Sequence, residues 1–205
     1  ASGGELSRFM LAYKIVVAEL DQISTLIFDE IDTGLSGKMA TVVAECLAKS
    51  GYHLILTYSA DQKTAVNTQQ ELQVKYGISV SVIQADNSNL QAIDTIASYL
   101  AEKDLYLDAL VMNAGTTCRD SFEQMQYEDW ERVFCTNVHF PVFLLQRIIT
   151  RIKKGGCVVF TGSLMGIEPH SVSLAYGVTK SAVHSLVKNL VKFLVPYEVR
   201  VNGVA

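Results

Sequence analysis

Tyr176 and Lys180 are spaced i, i+4 in AYGVTKSAV (175–183), so in a helix their side chains share one face. An ammonium beside a phenol favours the phenolate and lowers a pKa that otherwise lies near ~10, which makes the phenol a usable acid or base near neutral pH. Ser163 ends the apolar run VVFTGS (158–163) upstream, where its hydroxyl could hold a carbonyl oxygen for that phenol. A second apolar run, DALVM (108–112), ends in Asn113-Ala114-Gly115, and Asn137 lies between the two. Tyr-x-x-x-Lys alone is common on helix surfaces. With Ser163, the Asn-Ala-Gly turn and Asn137 in order, the set is specific, and its chemistry is proton transfer to or from a carbonyl or hydroxyl group.

These residues need elements to hold them. Apolar periodicity predicts a helix over 7–20, a short buried strand over 25–29 and a turn-rich stretch over 32–37 (DTGLSG). From there the rhythm is regular. Helix 38–50 leads to strand 52–58, helix 61–76, strand 79–84 and helix 88–102. Strand 108–112, a long helix over 127–152, strand 156–161, helix 173–195 and strand 198–204 follow. Strands alternating with long helices imply right-handed crossovers and a parallel sheet covered on both faces. The expected fold is a doubly wound, Rossmann-like, three-layer α/β/α domain. In such a fold ligands bind beyond the carboxyl ends of the strands.

Composition narrows the function. The 205 residues are 49% hydrophobic and 19% charged, which excludes disorder. The net charge of −4 and the lack of a basic stripe give no electrostatic footprint for nucleic acid. Cys46, Cys118, Cys135 and Cys157 are scattered, not at metal-ligand spacing. They read as core residues of a reducing, cytoplasmic protein. No apolar run approaches the ~18 residues of a membrane span, and no signal segment opens the chain. Both ends read as cut: Ala1 leads at once into a dense motif, and the chain stops directly after a strand.

The motifs NAG (113–115), CTNVHFP (135–141), VVFTGS (158–163), AYGVTKSAV (175–183) and VRVNGVA (199–205) together resemble the short-chain dehydrogenase/reductase family. The likeness runs over about 46–205 and is strongest to the 3-oxoacyl-carrier-protein reductases. The resemblance implies an NAD(P)-dependent oxidoreductase with Tyr176 as acid/base, acting on a small carbonyl or acyl thioester substrate. In it Lys180 binds the nicotinamide ribose and lowers the Tyr176 pKa. Ser163 orients the carbonyl, and Asn137 holds a relay water. Asn113, Ala114 and Gly115 line the cofactor cleft, and Asp86 approaches the adenine. It also implies a homodimer or homotetramer, and a segment beyond VNGVA that completes the sheet and the substrate lid. The second strand ends in Thr57-Tyr58-Ser59 with no acid for a ribose 2′-hydroxyl, which leans to NADP over NAD, although no Arg stands there for the phosphate. The family's TGxxxGxG loop has one counterpart, Thr33-Gly34-Leu35-Ser36-Gly37-Lys38-Met39-Ala40. Of its glycines Gly34 is in place, whereas Lys38 and Ala40 stand where the later ones belong.

Residues 1–37 resemble a different family, the RecN-type DNA-repair ATPases. ASGGELSR (1–8) is similar to their signature motif, TLIFDE (25–30) to a Walker B strand and IDTGLSG (31–37) to a D-loop. That resemblance implies ATP and Mg²⁺, with Ser2, Gly3 and Gly4 on a γ-phosphate, Asp29 holding the metal and Glu30 polarising water. Nucleic acid would be a partner under this reading alone. No Walker A loop precedes these motifs. The chain therefore reads as a composite, with a RecN-like segment over 1–45 whose strand takes the first-strand slot of a reductase domain over 46–205. Its alternatives are an ATPase fragment or a folded, inactive chimera. Asp29 and Glu30 then face the pyrophosphate site. Two like charges ~5 Å apart at an effective dielectric of ~20 repel by about 3 kcal/mol. NADPH titrated by fluorescence is therefore expected to bind weakly in EDTA and more tightly with Mg²⁺; micromolar affinity in EDTA would refute this.

Overall fold

A computed structural model describes residues 25–28, 34–119, 121–168 and 173–204. The helix expected over 7–20, together with Ser2, Gly3, Gly4, Asp29 and Glu30, lies outside the described residues. Six strands carry the apolar runs: β1 (Thr25–Phe28), β2 (His53–Tyr58), β3 (Val80–Gln84), β4 (Leu107–Met112), β5 (Ile152–Thr161) and β6 (Arg200–Val204). All pair in parallel, in the order β3-β2-β1-β4-β5-β6. The expected slot for the first strand is realised: Ile27 pairs with Ile55 of β2 on one side and Leu110 of β4 on the other. The chain order reverses between β1 and β4, so the ligand crevice of a doubly wound sheet opens at their carboxyl ends.

The helices are α1 (Gly34–Lys49), α2 (Gln62–Tyr76), α3 (Ala92–Glu102), α4 (Tyr127–Phe134), α5 (Phe140–Ile148) and α6 (Leu174–Leu194). Side chains alternate across each strand. Leu54, Leu56, Tyr58, Val80, Val111 and Val159 pack on one face under α1 and α2, with Val43, Leu47 and Leu72. Ile55, Ile83, Leu110, Val158 and Phe160 pack on the other face with Ile96 and Leu100 of α3, Phe140 and Leu144 of α5, and Val183 of α6. Three layers result, as the sequence pattern requires.

The differences from expectation are local. Helix α1 starts at Gly34, inside the stretch read as turn. Helix α3 starts at Ala92, because Asp86 and Asn89 hold residues 88–91 in turns through Ser88 N (2.9 Å) and Gln91 N (3.0 Å). Strand β5 begins early, at Ile152. Its register jumps from Leu107↔Ile152 to Ala109↔Cys157, with Gly155 at φ 80 in the extra loop. That left-handed backbone is open to glycine and hides the strand start behind a Lys-Lys-Gly-Gly sequence. The long helix is interrupted by a π turn at Cys135–His139 and ends in a 3₁₀ turn at Ile149–Arg151. Among the described residues one helical stretch, Tyr127–Arg151, reaches the length and hydropathy of a membrane span, and half of that window is buried inside the domain. Phe140 and Val133 are fully buried. Truncating Phe140→Ala is expected to cost about 3–5 kcal/mol of stability, read as a shift in urea midpoint at unchanged slope.

Candidate active site

Helix α6 begins with Ser173, an extended residue whose Oγ accepts from Tyr176 N at 3.3 Å. This cap fixes the first turn, and with it the direction of the tyrosine that follows. One turn on, Lys180 is 3% exposed and donates from Nζ to the Thr161 carbonyl at the end of β5, 2.7 Å away. The same ammonium lies 5.5 Å from the Tyr176 ring centroid, over the ring. Ser163 follows β5, and its Oγ accepts from Met165 N at 3.2 Å. The 3₁₀ turn over Leu164–Gly166 is tied to α6 by Ser181 Oγ, which donates to the Gly166 carbonyl at 2.7 Å. The serine hydroxyl thus shares a hydrogen bond with the phenol, and the ammonium lies over the same ring.

Electrostatics departs from the sequence expectation at Tyr176. Burial pushes the phenol up from its ordinary value, and a hydrogen bond with Ser163 opposes that shift. The Lys180 ammonium donates to the Thr161 carbonyl and lies over the ring face, and burial is the larger influence on the phenol. Burial lowers Lys180 itself to about 8. The neighbouring His184 is held below its usual range by burial and by the charges of Lys180 and Lys188.

Asn137 sits in the π turn, a local widening common at functional positions. Its Oδ1 accepts from Thr116 N at 2.8 Å, and its Nδ2 donates to Thr116 O and to Thr179 Oγ1, both at 2.9 Å. Asn113 is joined to β5, its Oδ1 accepting from Thr161 Oγ1 at 3.2 Å. Ala114 is buried. A Cβ on Gly115 would stand 3.4 Å from Lys180 Nζ and 3.7 Å from Asn137 Oδ1. A larger residue there would cover the ammonium, so the glycine keeps the crevice floor open.

A cavity of about 210 Å³ at the carboxyl ends of β2, β3 and β4 is lined by Ser59, Asp86, Gly115, Thr116, Arg132 and Thr136, among others. It brings together three of the residues expected to touch a cofactor. Tyr58 is not among them, since its ring lies in the core under α1 and α2. Strand alternation explains this correction: Tyr58 shares the face of Leu54 and Leu56. Gly34 stands at the first turn of α1, after β1. Ser173, Thr116, Thr179 and Thr161 were missed in the sequence. Among them only Ser173 carries a signal, a serine immediately before an apolar helix.

The short chain dehydrogenase family profile matches residues 31–205. The chain belongs to that family. Curated relatives agree. An uncharacterized oxidoreductase, YmfI of Bacillus subtilis, is 30% identical over 175 residues, covering 84% of this chain and 71% of its own. The 3-oxoacyl-acyl-carrier-protein reductase FabG of Staphylococcus aureus is 25% identical over 175 residues, with the same coverage of 84% and 71%. Among solved structures, a short-chain dehydrogenase from Sphingobium yanoikuyae in complex with NADPH superposes with a TM-score of 0.76 at 26% identity. That alignment covers 88% of this chain and 69% of the other. The chain is thus an oxidoreductase of a family that binds NAD(P) and acts on small molecules. The match begins at Ile31 rather than near residue 46 and takes in the DTGLSG stretch. The ATPase reading receives no support from these comparisons.

Lys180 couples the dehydrogenase's stability to pH. Its folded pKa of about 8 lies below the ordinary 10.5, so across that window the unfolded chain binds more protons and stability rises with pH. Cys157 acts in the opposite sense from 9.0 upward, because burial raises its thiol to about 11. Between about pH 8 and 9 the stability of the parent chain relative to Lys180→Met is expected to rise by about 1 kcal/mol. A pH-independent difference in chemical denaturation would show that the ammonium is not desolvated.

Proposed function

We propose that this short-chain dehydrogenase reduces the carbonyl of a small molecule or acyl thioester with NADPH, and that Tyr176 delivers the proton. The observation that carries the reading is the buried phenol beside Ser163 with the Lys180 ammonium over its ring. A phenol held above its ordinary pKa is protonated at neutral pH, which suits a proton donor and hence the reductive direction. Ser163 orients the carbonyl oxygen within reach of the phenol. Lys180, still mostly charged at neutral pH, faces the opening kept by Gly115 and holds ribose hydroxyls there. The side chain of Asn137 clamps Thr116 to Thr179, so its role in a proton relay is to hold the walls of the crevice.

The described residues of the crevice fit the two ends of the nucleotide, while Lys38 and Ala40 stand where the pyrophosphate loop would carry glycines. The open glycine floor accommodates the nicotinamide ribose, and the cavity lined by Ser59, Asp86 and Gly115 suits the adenosine end. Asn113 and Ala114 wall the cleft between them, and Gly34, heading α1, takes the pyrophosphate side. A bound nicotinamide supplies the hydride. The preference for NADP rests on the end of β2. Ser59 stands there in place of an acid, and the nearby Asp61 caps α2 by accepting from Thr64 N at 3.0 Å. Exposed Phe143 on α5 and Leu174, Val178 and Phe193 on α6 favour assembly as a homodimer or homotetramer.

In an assay with NADPH and a 3-oxoacyl thioester, Tyr176→Phe is expected to lower kcat by about 10²–10⁴-fold while NADPH affinity holds. Turnover that survives the substitution would remove Tyr176 from the reaction.

A further inference from the structure

Arg132 of α4 connects the adenosine cavity to the helix that carries the phenol. Its Nη2 donates to Asp129 Oδ1, one turn earlier, at 2.8 Å. Its Nη1 donates to Thr116 Oγ1 at 3.0 Å. The planar guanidinium is therefore fixed at both ends, a geometry a flexible ammonium does not reproduce. Thr116 continues the chain inward. Its main-chain N–H and C=O both bond the Asn137 side chain, at 2.8 and 2.9 Å. Asn137 Nδ2 then donates to Thr179 Oγ1, and Thr179 Oγ1 donates to the Tyr176 carbonyl, each at 2.9 Å. A second branch leaves the next residue: Thr117 Oγ1 lies 2.9 Å from Ser173 Oγ, which accepts from Tyr176 N at 3.3 Å. Both main-chain groups of Tyr176 thus connect to the strap Thr116–Thr117.

Arg132 and Thr116 also line the cavity that holds Ser59 and Asp86, so a ligand seated there touches the residues that anchor the strap. The Arg132–Asp129 pair is solvent-exposed, and such pairs add little to stability. The effect of Arg132 is therefore one of placement. We propose that Arg132 is a positioning residue that holds the Thr116–Thr117 strap, and through it Tyr176, in register with the adenosine cavity. The proposal rests on the reading of Tyr176 as the proton donor.

The test uses Arg132→Met and Arg132→Lys in the full chain. Amide hydrogen exchange around Thr116 is read without nucleotide and with saturating NADPH. Turnover is measured with NADPH and with reduced nicotinamide mononucleotide, which lacks the adenosine end. In Arg132→Met, exchange at Thr116 is expected to quicken about tenfold, the loss of one hydrogen bond. kcat is expected to fall by about the same factor with both nucleotides, and Arg132→Lys to recover only part of it. Unchanged exchange at Thr116 would overturn the proposal. So would a rise in KM confined to NADPH, because it would make Arg132 a direct contact of the adenosine end. A parent chain with no turnover on either nucleotide would overturn the reductase reading instead, and the exchange result would still decide whether Arg132 holds the strap.

Discussion

The structure turns on one buried positive charge. Removing an ammonium from water is costly unless the site repays it, and among the described residues Lys180 meets the Thr161 carbonyl and the face of the Tyr176 ring. Burial accordingly lowers its pKa to about 8. A residue so placed must be anchored from both sides. The end of β5 supplies the acceptor, and α6, capped by Ser173 and tied to the 164–166 turn, supplies the stem. The crevice is therefore a consequence of where β5 ends and α6 begins, and both are set by a sheet whose order reverses between β1 and β4.

The same constraint explains why Tyr176 behaves differently from the simple expectation for an i, i+4 pair. Spacing predicts proximity, and proximity is observed. It does not predict which group the ammonium addresses. With Lys180 turned to a main-chain carbonyl, burial dominates at the phenol, and Ser163 is the group that opposes it.

Much of this was readable in the sequence, for physical reasons that differ by element. Buried parallel strands are apolar on both faces, so LILTY and CVVF announce β2 and the core of β5, whereas the slot of β1 follows from the resemblance to the reductase family. Helix ends were less legible. Helix α3 starts late because side-chain turns at Asp86 and Asn89 compete with helix, and the start of β5 is hidden by a glycine in a left-handed conformation. Type and spacing single out Ser163, Tyr176 and Lys180, and the structure brings these three side chains together. Tyr58 was misplaced because a strand-end position near a ligand crevice does not say which face its side chain takes. The threonines could not be found at all, since a hydroxyl that bridges two loops has no periodic or local signature.

Those threonines join the loop after β4 to helix α6. The cavity lined by Ser59 and Asp86 shares Thr116 and Arg132 with the hydrogen-bond chain that reaches Tyr176. Asn137 makes the connection by lying in a π turn, where the helix is wide enough to aim one amide at both Thr116 and Thr179. A regular helix over 127–151 would rotate every residue before Asn137 relative to those after it. Trp130 and Arg132 on one side and Phe140 on the other would then no longer face their present partners. The irregular turn in an otherwise apolar helix is thus the element that lets one helix line a polar crevice and still bury its far end against the sheet.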